Sequence, residues 1–253
     1  MPRQTLRQLA GPARTRPGNR RLGLLLAFVA GAINAGGYLA VQRYTSHMTG
    51  VVSGVADDLA LGEFALAAAG AVLVAMFIAG AMTTAVLTNW ARRRRLHSQY
   101  ALSLLLEAAL LLLFGLMGTV LAQHTALRVP LTVALLSYLM GLQNAVVTKI
   151  SQAEIRTTHM TGVITDLGIE LGKLLYWNRH RAGGPQPAVR ANRDKLRLLA
   201  AILGCFATGG LAGALGFKAW GYAATLPIAL LLAVLAAVPV LDDLQGADAA
   251  PRG

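Results

Sequence analysis

Charge is scarce in this sequence, and cysteine is nearly absent. Only 13% of the 253 residues are charged, against roughly a quarter in soluble domains. A chain so poor in charge cannot give a folded domain of this length an ordinary water-facing surface. The single cysteine, Cys205, excludes an intrachain disulfide framework. It lies within an apolar run and reads as a small buried hydrophobe. No Cys/His cluster has zinc-site spacing, so no bound metal is expected, and no cofactor either. Acids are the scarcer charge, 11 Asp and Glu against 23 Lys and Arg, for a net charge of +12. An excess of that size suggests nucleic acid only when it covers one face of a soluble binding motif. Here the basic residues stand in blocks between apolar runs, so the expected partner is the lipid bilayer and not nucleic acid.

What the chain has in abundance is apolar length: 55% of its residues are hydrophobic. A helix needs about 20 residues to cross the ~30 Å hydrocarbon core. Six runs reach that length: Leu22 to Val41, Phe64 to Thr88, Ala101 to Ala122, Val129 to Val147, Leu196 to Phe217 and Ala219 to Leu241. Residues 1–21 read as a disordered basic cytoplasmic tail. The tail and first run together resemble a signal peptide, with small residues at Ala30-Gly31-Ala32. The apolar stretch continues to Val41 and further spans come after it, so it reads as an uncleaved first helix.

Twenty of the 23 basic residues fall on one side of a six-span arrangement. They lie in the N-terminal tail, at Arg92 to Arg95, in the long loop after the fourth span and at Arg252. Arg43, Arg128 and Lys218 fall on the other side. Basic loops stay in the cytoplasm, so both termini are expected there. Trp90, Trp177 and Trp220 stand near the ends of apolar segments, as interfacial anchors do.

The chain also repeats itself. Gly31-Ala32-Ile33-Asn34-Ala35 is followed by Thr45-Ser46-His47-Met48-Thr49-Gly50-Val51. Gly141-Leu142-Gln143-Asn144-Ala145 is followed by Thr157-Thr158-His159-Met160-Thr161-Gly162-Val163. Each half reads as one span, the motif segment and two more spans, over residues 22–122 and 123–240. The second half includes a basic cytoplasmic loop at 178–195, and a tail occupies 241–253. Three spans per half is odd, so the second half starts from the opposite face of the membrane. The expected fold is therefore all-α and integral to the membrane: six transmembrane helices in two inverted three-helix repeats.

The motif segments decide the function. Both are only moderately apolar and carry acids, Asp57 and Asp58 in the first, Asp166 and Glu170 in the second. They make poor lipid-facing spans and read as short or re-entrant helices dipping into the bundle, since irregular backbone at that depth must be buried or line a cavity. Ser46 and Thr158 are placed to cap their N-termini. Those ends carry partial positive charge, and two of them meeting near the midplane would make a polar site. The alternative lets both segments cross fully, giving eight spans and a parallel repeat. It moves Arg92 to Arg95 outside, against the charge asymmetry.

At these motifs the sequence resembles the YoaK family, also called DUF1275, over about residues 22 to 240. The most specific parts are Gly31-x-x-Asn34-Ala35, Thr45 to Gly50, and Thr157 to Gly162 followed by Thr165-Asp166-Leu167-Gly168. Val51 stands where the family has Asn. The resemblance implies a multispanning protein of the bacterial inner membrane and supplies no substrate.

The candidate substrate-binding residues are Asn34, His47, Thr49, Gly50, Asn144, His159, Thr161, Gly162, Asp166 and Glu170. Asn34 and Asn144 fit either interhelical hydrogen bonding or a site at the repeat axis. His47 and His159 fit helix ends, or ligands for a substrate or proton. Thr49-Gly50 and Thr161-Gly162 fit close helix approach, as does Gly209-x-x-x-Gly213. Asp166 and Glu170 lie one turn apart, either in the site, solvated, or paired with Lys173 or Arg156. Glu107 sits early in the third span; ionisable groups at membrane depth are functional candidates, though one within two turns of the cytoplasmic end also fits pairing with a basic residue at the interface. The leading reading is a small-solute transporter or channel, its small-molecule or ion substrate unnamed. The rival is a non-transporting scaffold or regulator. An enzyme is not expected, because Ser53-Gly54 has no base placed to activate the serine. The Gly-rich faces permit a homodimer.

Overall fold

The structure is a computed structural model that describes residues 16–42, 44–96, 98–120, 125–150, 158–176 and 189–248. It is all-helical among these residues. The helices are α1 (Arg16–Val41), α2 (Met48–Ala60), α3 (Phe64–Arg93), α4 (Ala101–Val120), α5 (Thr125–Ile150), α6 (Met160–Leu175), α7 (Arg193–Trp220) and α8 (Thr225–Asp248). A 3-10 turn, Gly221–Ala224, joins the last two.

Five stretches are long and apolar enough to cross a membrane: Pro17–Ala40, Phe64–Arg93, Ala101–Val120, Val129–Ile150 and Arg193–Ala237. The last contains α7, the 3-10 turn and the start of α8. Gly221 breaks it with φ 55°, a left-handed conformation that glycine adopts without steric cost. The Tyr222 ring then lies over Gly118 of α4 and packs against Phe114 and Phe217. Two short motif helices, α2 and α6, complete the architecture.

Several expected boundaries move. The tail at 1–21 is helical from Arg16, with Pro17 in the first turn, where its missing N–H is no loss. The loop at 178–195 gives way to helix at Arg193, where Asn192 caps α7 by accepting the Lys195 N–H at 3.0 Å. Residues 241–248, read as tail, continue α8, because propagating a helix needs no apolar residue. The expectation for Arg156 lies outside the described residues.

The two halves are not separate packing units. The first helix of each half packs along a helix of the other: α1 on α7, and α5 on α3. The pair α4 and α8 closes the bundle. Glycine makes the crossings possible. A Cβ at Gly31 would fall on the Phe206 carbonyl oxygen, and one at Gly141 on that of Phe77. In return, Gly209 lies against the Phe28 carbonyl and Gly80 against that of Tyr138. Gly213 meets the Ala32 carbonyl, so Gly209-x-x-x-Gly213 is a packing face as expected. The glycine of each Gly-x-x-Asn-Ala thus seats on a Phe-x-x-Gly of the opposite half, Phe77-x-x-Gly80 or Phe206-x-x-Gly209. The same separation in sequence relates the starts of α3 and α7, Phe64 and Arg193.

The surface is inverted relative to a soluble protein. Ile78, Met82 and Val86 of α3, Leu116 of α4, Leu211 of α7 and Leu230 of α8 all face outward. Thr84, Thr88, Ser103, Glu107, Ser137 and Gln143 are buried. Lipid solvates the first group at no cost, while polar groups gain only by finding one another inside. The chain is a multi-pass membrane protein.

Candidate functional site

Each motif begins with a tether. Ser46 Oγ donates to Asn34 Oδ1 at 2.6 Å, and Thr158 Oγ1 donates to Asn144 Oδ1 at 2.6 Å. Asn144 also returns a hydrogen bond from Nδ2 to the Met140 carbonyl one turn back. The asparagine of each long helix therefore fixes where the chain turns into the motif helix. This corrects the expectation that Ser46 and Thr158 cap that helix. The capping positions fall one residue later, to His47 and His159, neither of which makes a side-chain cap bond.

The histidines explain the glycines three residues on. His47 Nδ1 lies 2.6 Å from where a Gly50 Cβ would stand, and His159 Nδ1 lies 2.7 Å from the corresponding point on Gly162. Each ring folds back over the first turn of its own helix, and the His-x-x-Gly spacing leaves it room. Gly50 and Gly162 thus do not serve close approach between helices, as the sequence suggested. That function belongs to Gly31, Gly80, Gly141, Gly209 and Gly213. Thr49 and Thr161 lie exposed in the first turns.

The two halves then diverge. Around the first motif, α2, α3 and Val133 of α5 form an open cavity of about 330 Å3. His47, Asp58, Thr45, Gly50, Gly54 and Leu66 line it, while the Val55 side chain fills the space beside Gly70. Tyr44 stands at its edge with its ring stacked on Tyr38 of α1, centroids 4.5 Å apart. Among the described residues no cation pairs with Asp58.

Counting from the motif histidines, Asp58 corresponds to Glu170 and Gly54 to Asp166. Counting from the starts of α3 and α7, Leu66 corresponds to Lys195 and Gly70 to Leu199. The second half therefore carries Asp166, Lys195 and Leu199 where the first carries Gly54, Leu66 and Gly70. Lys195 pairs with Asp166 at 3.1 Å. Glu170, nearly fully buried, pairs with Lys173 at 2.9 Å and accepts the Asn192 N–H at 2.8 Å. The ion pairing expected for these acids is present, with Lys195 as the partner that sequence reasoning missed. The two motif helices share no packing interface among the described residues: α2 packs on α3, and α6 on α7. Nor do three His, Cys, Asp or Glu side chains gather among those residues as a metal would require.

The hydrogen bond from Lys173, and then that from the Asn192 N–H, hold the Glu170 carboxyl below the usual carboxylate range. A carboxylate depressed in the folded state stabilises it above its unfolded value, and the contribution is lost as pH falls through the folded value. Acidification below the usual carboxylate range is therefore expected to free the start of α7 from α6. A spin label at Arg190 should gain mobility in wild type as pH falls. In Glu170→Gln the label should be loose already at pH 7 and change little; equal pH dependence in both would refute the assignment.

Residues 22–238 match the model of a protein of unknown function, DUF1275. The chain belongs to the DUF1275 family. The match spans both motifs and every crossing glycine. No curated protein and no solved structure matches the chain.

Proposed function

We propose that this DUF1275 protein is a transporter or channel for a small polar solute, in which the first motif cavity receives the solute. The cavity itself carries the reading: His47 and Asp58, whose carboxylate meets no cation among the described residues, line one space, beside a helix N-terminus, in a membrane protein. Its volume lies at the lower end for small-molecule sites. A lone carboxylate favours a solute bearing a positive charge or several hydrogen-bond donors. The second motif, with its acids neutralised, is the structural partner of the pair.

The reading includes six spans in two inverted repeats, with both termini in the cytoplasm of a bacterial inner membrane. The charge asymmetry and the reciprocal seating of each Gly-x-x-Asn-Ala on the other half support it. Cysteines placed at Arg95 and Gln123 test the topology. Membrane-impermeant label added outside should reach position 123 and not 95, and labelling at 95 would exclude the six-span arrangement.

Flux into proteoliposomes, measured over a panel of amines, cations and neutral polar solutes, tests the activity. A hydrogen bond to a charged group is worth about 1.5–3 kcal/mol, so Asp58→Asn is expected to weaken solute capture about tenfold or more. His47→Ala should also reduce flux, while His159→Ala should act only through stability. No flux of any solute would favour the membrane scaffold instead.

A further inference from the structure

The bundle core holds a second polar group, on different helices from the motif cavity. Glu107 of α4 is fully buried, roughly 9 Å along the axis from the helix start at 1.5 Å per residue. The Gln143 side chain of α5, also fully buried, lies against its carboxyl. Both Glu107 oxygens, Gln143 Oε1 and Gln143 Nε2 are without a hydrogen-bond partner. Ser103, one turn before Glu107, has its hydroxyl in the same condition.

Among the described side chains, the elements packed on α4 bring cations only at their ends, Arg92 and Arg93 on α3 and Lys149 on α5, and none of these pairs with Glu107. Those elements are α5, α8, the 3-10 turn and, less extensively, α3. Among the described residues no Lys, Arg or His pairs with Glu107. Lys149 stands near the end of α5, and the Asp243 carboxylate on α8 accepts the Ser98 N–H at 2.8 Å. Thr88 of α3 and Ser137 of α5 contribute only neutral hydroxyls. A bare carboxylate in such surroundings is strongly disfavoured.

Hydrogen-bond capacity points to the remedy. A primary amide has donors and an acceptor, whereas an ionised carboxylate only accepts. With Glu107 ionised, Gln143 Nε2 can donate to it, but Gln143 Oε1 stays unpaired and the charge stays buried. With a proton on Glu107, its O–H donates to Gln143 Oε1 and Gln143 Nε2 donates to the other carboxyl oxygen. Two hydrogen bonds then satisfy all four atoms and no charge remains. We propose that Glu107 and Gln143 form a proton-binding site in the bundle core, closed as a carboxylic acid–amide ring. Its counterpart in the first half is absent, since Ile33 stands where Gln143 stands in the repeat. The site belongs to one half only and is independent of the solute reading.

Infrared spectroscopy of the full-length protein in lipid nanodiscs tests this. Wild type at pH 7 should show a protonated-carboxyl C=O band that shifts in D2O and is missing from Glu107→Gln. Gln143→Leu should keep that band but shift it upward in frequency, as a carboxyl released from a strong hydrogen bond does. Glu107→Gln should melt within a few degrees of wild type, because an amide–amide pair closes the same two bonds. Glu107→Leu and Gln143→Leu, which leave one partner stranded, should melt lower. If Glu107→Gln removes only carboxylate bands at pH 7, the proposal is overturned. A band that appears only when sodium is withdrawn would assign the site to a metal cation and overturn it equally.

Discussion

Gly141→Leu and Gly31→Leu are each expected to keep the bundle from closing, and the double variant should yield no monodisperse protein in detergent. At both positions a Cβ would coincide with the Phe77 or Phe206 carbonyl of the opposing helix. Overpacking a well-packed interior costs about 1–3 kcal/mol when side chains can shift. A helical carbonyl cannot rotate away, so the whole helix must move and the cost exceeds that range. The two crossings lie on different helix pairs, so their costs should add. Together they approach the ~5–15 kcal/mol by which folded proteins are usually stable. Gly204→Leu is the control. It lies in the interior of α7 with nothing within 4 Å of its Cβ position, and replacing a helical glycine there is expected to be neutral or mildly stabilising. Thermal midpoints and size-exclusion profiles of the variants make the comparison. If Gly141→Leu behaved like Gly204→Leu, the close crossing of α5 on α3 would be wrong.

These crossings mark how far the sequence could be read. Runs of Leu, Ala and Val announce helices in a membrane, because lipid tolerates no other open structure, and the described helices start and end within a few residues of those runs. The recurrence of Gly-x-x-Asn-Ala announces two halves. It does not announce that each copy seats on the other half, because the receiving surface, Phe77-x-x-Gly80 or Phe206-x-x-Gly209, is too short to stand out among glycines and apolar residues. Aligning the halves from Phe64 and Arg193 exposes it. The motifs are visible in the sequence, but the work of their parts is not. Gly50 has the setting of a contact between helices and instead makes room for its own histidine. Ser46 has the position of a cap and instead ties to Asn34 twelve residues earlier. In both cases the same residue types serve either role, and only the direction of the side chain separates them. The cavity is legible only in Asp58 and His47, since the space left beside Gly54, with nothing within 4 Å of its Cβ position, carries no signal in the sequence.

That emptiness supplies the sharpest test of the proposed function. Leu66→Lys installs in the first half the residue that the second half carries as Lys195. There, the lysine reaches an acid on the motif helix, Asp166, at 3.1 Å. In the first half position 54 is glycine, so the acid within the cavity is Asp58. The introduced ammonium is therefore expected to enter the cavity, take the place of a cationic or donor-rich solute and neutralise Asp58. Leu66 is half exposed, so the fold should tolerate the change, with a thermal midpoint near wild type. Flux should fall about as far as with Asp58→Asn, tenfold or more for a competing charged hydrogen bond of about 1.5–3 kcal/mol. Leu66→Met keeps the length without the charge and should retain flux, which separates neutralisation from simple obstruction. The reverse exchange, Lys195→Leu, frees Asp166 but leaves Glu170 held by Lys173 and the Asn192 N–H, so it should create no second route. Full flux through Leu66→Lys would mean that the solute does not pass the first motif cavity, and the asymmetry between the halves would need another purpose.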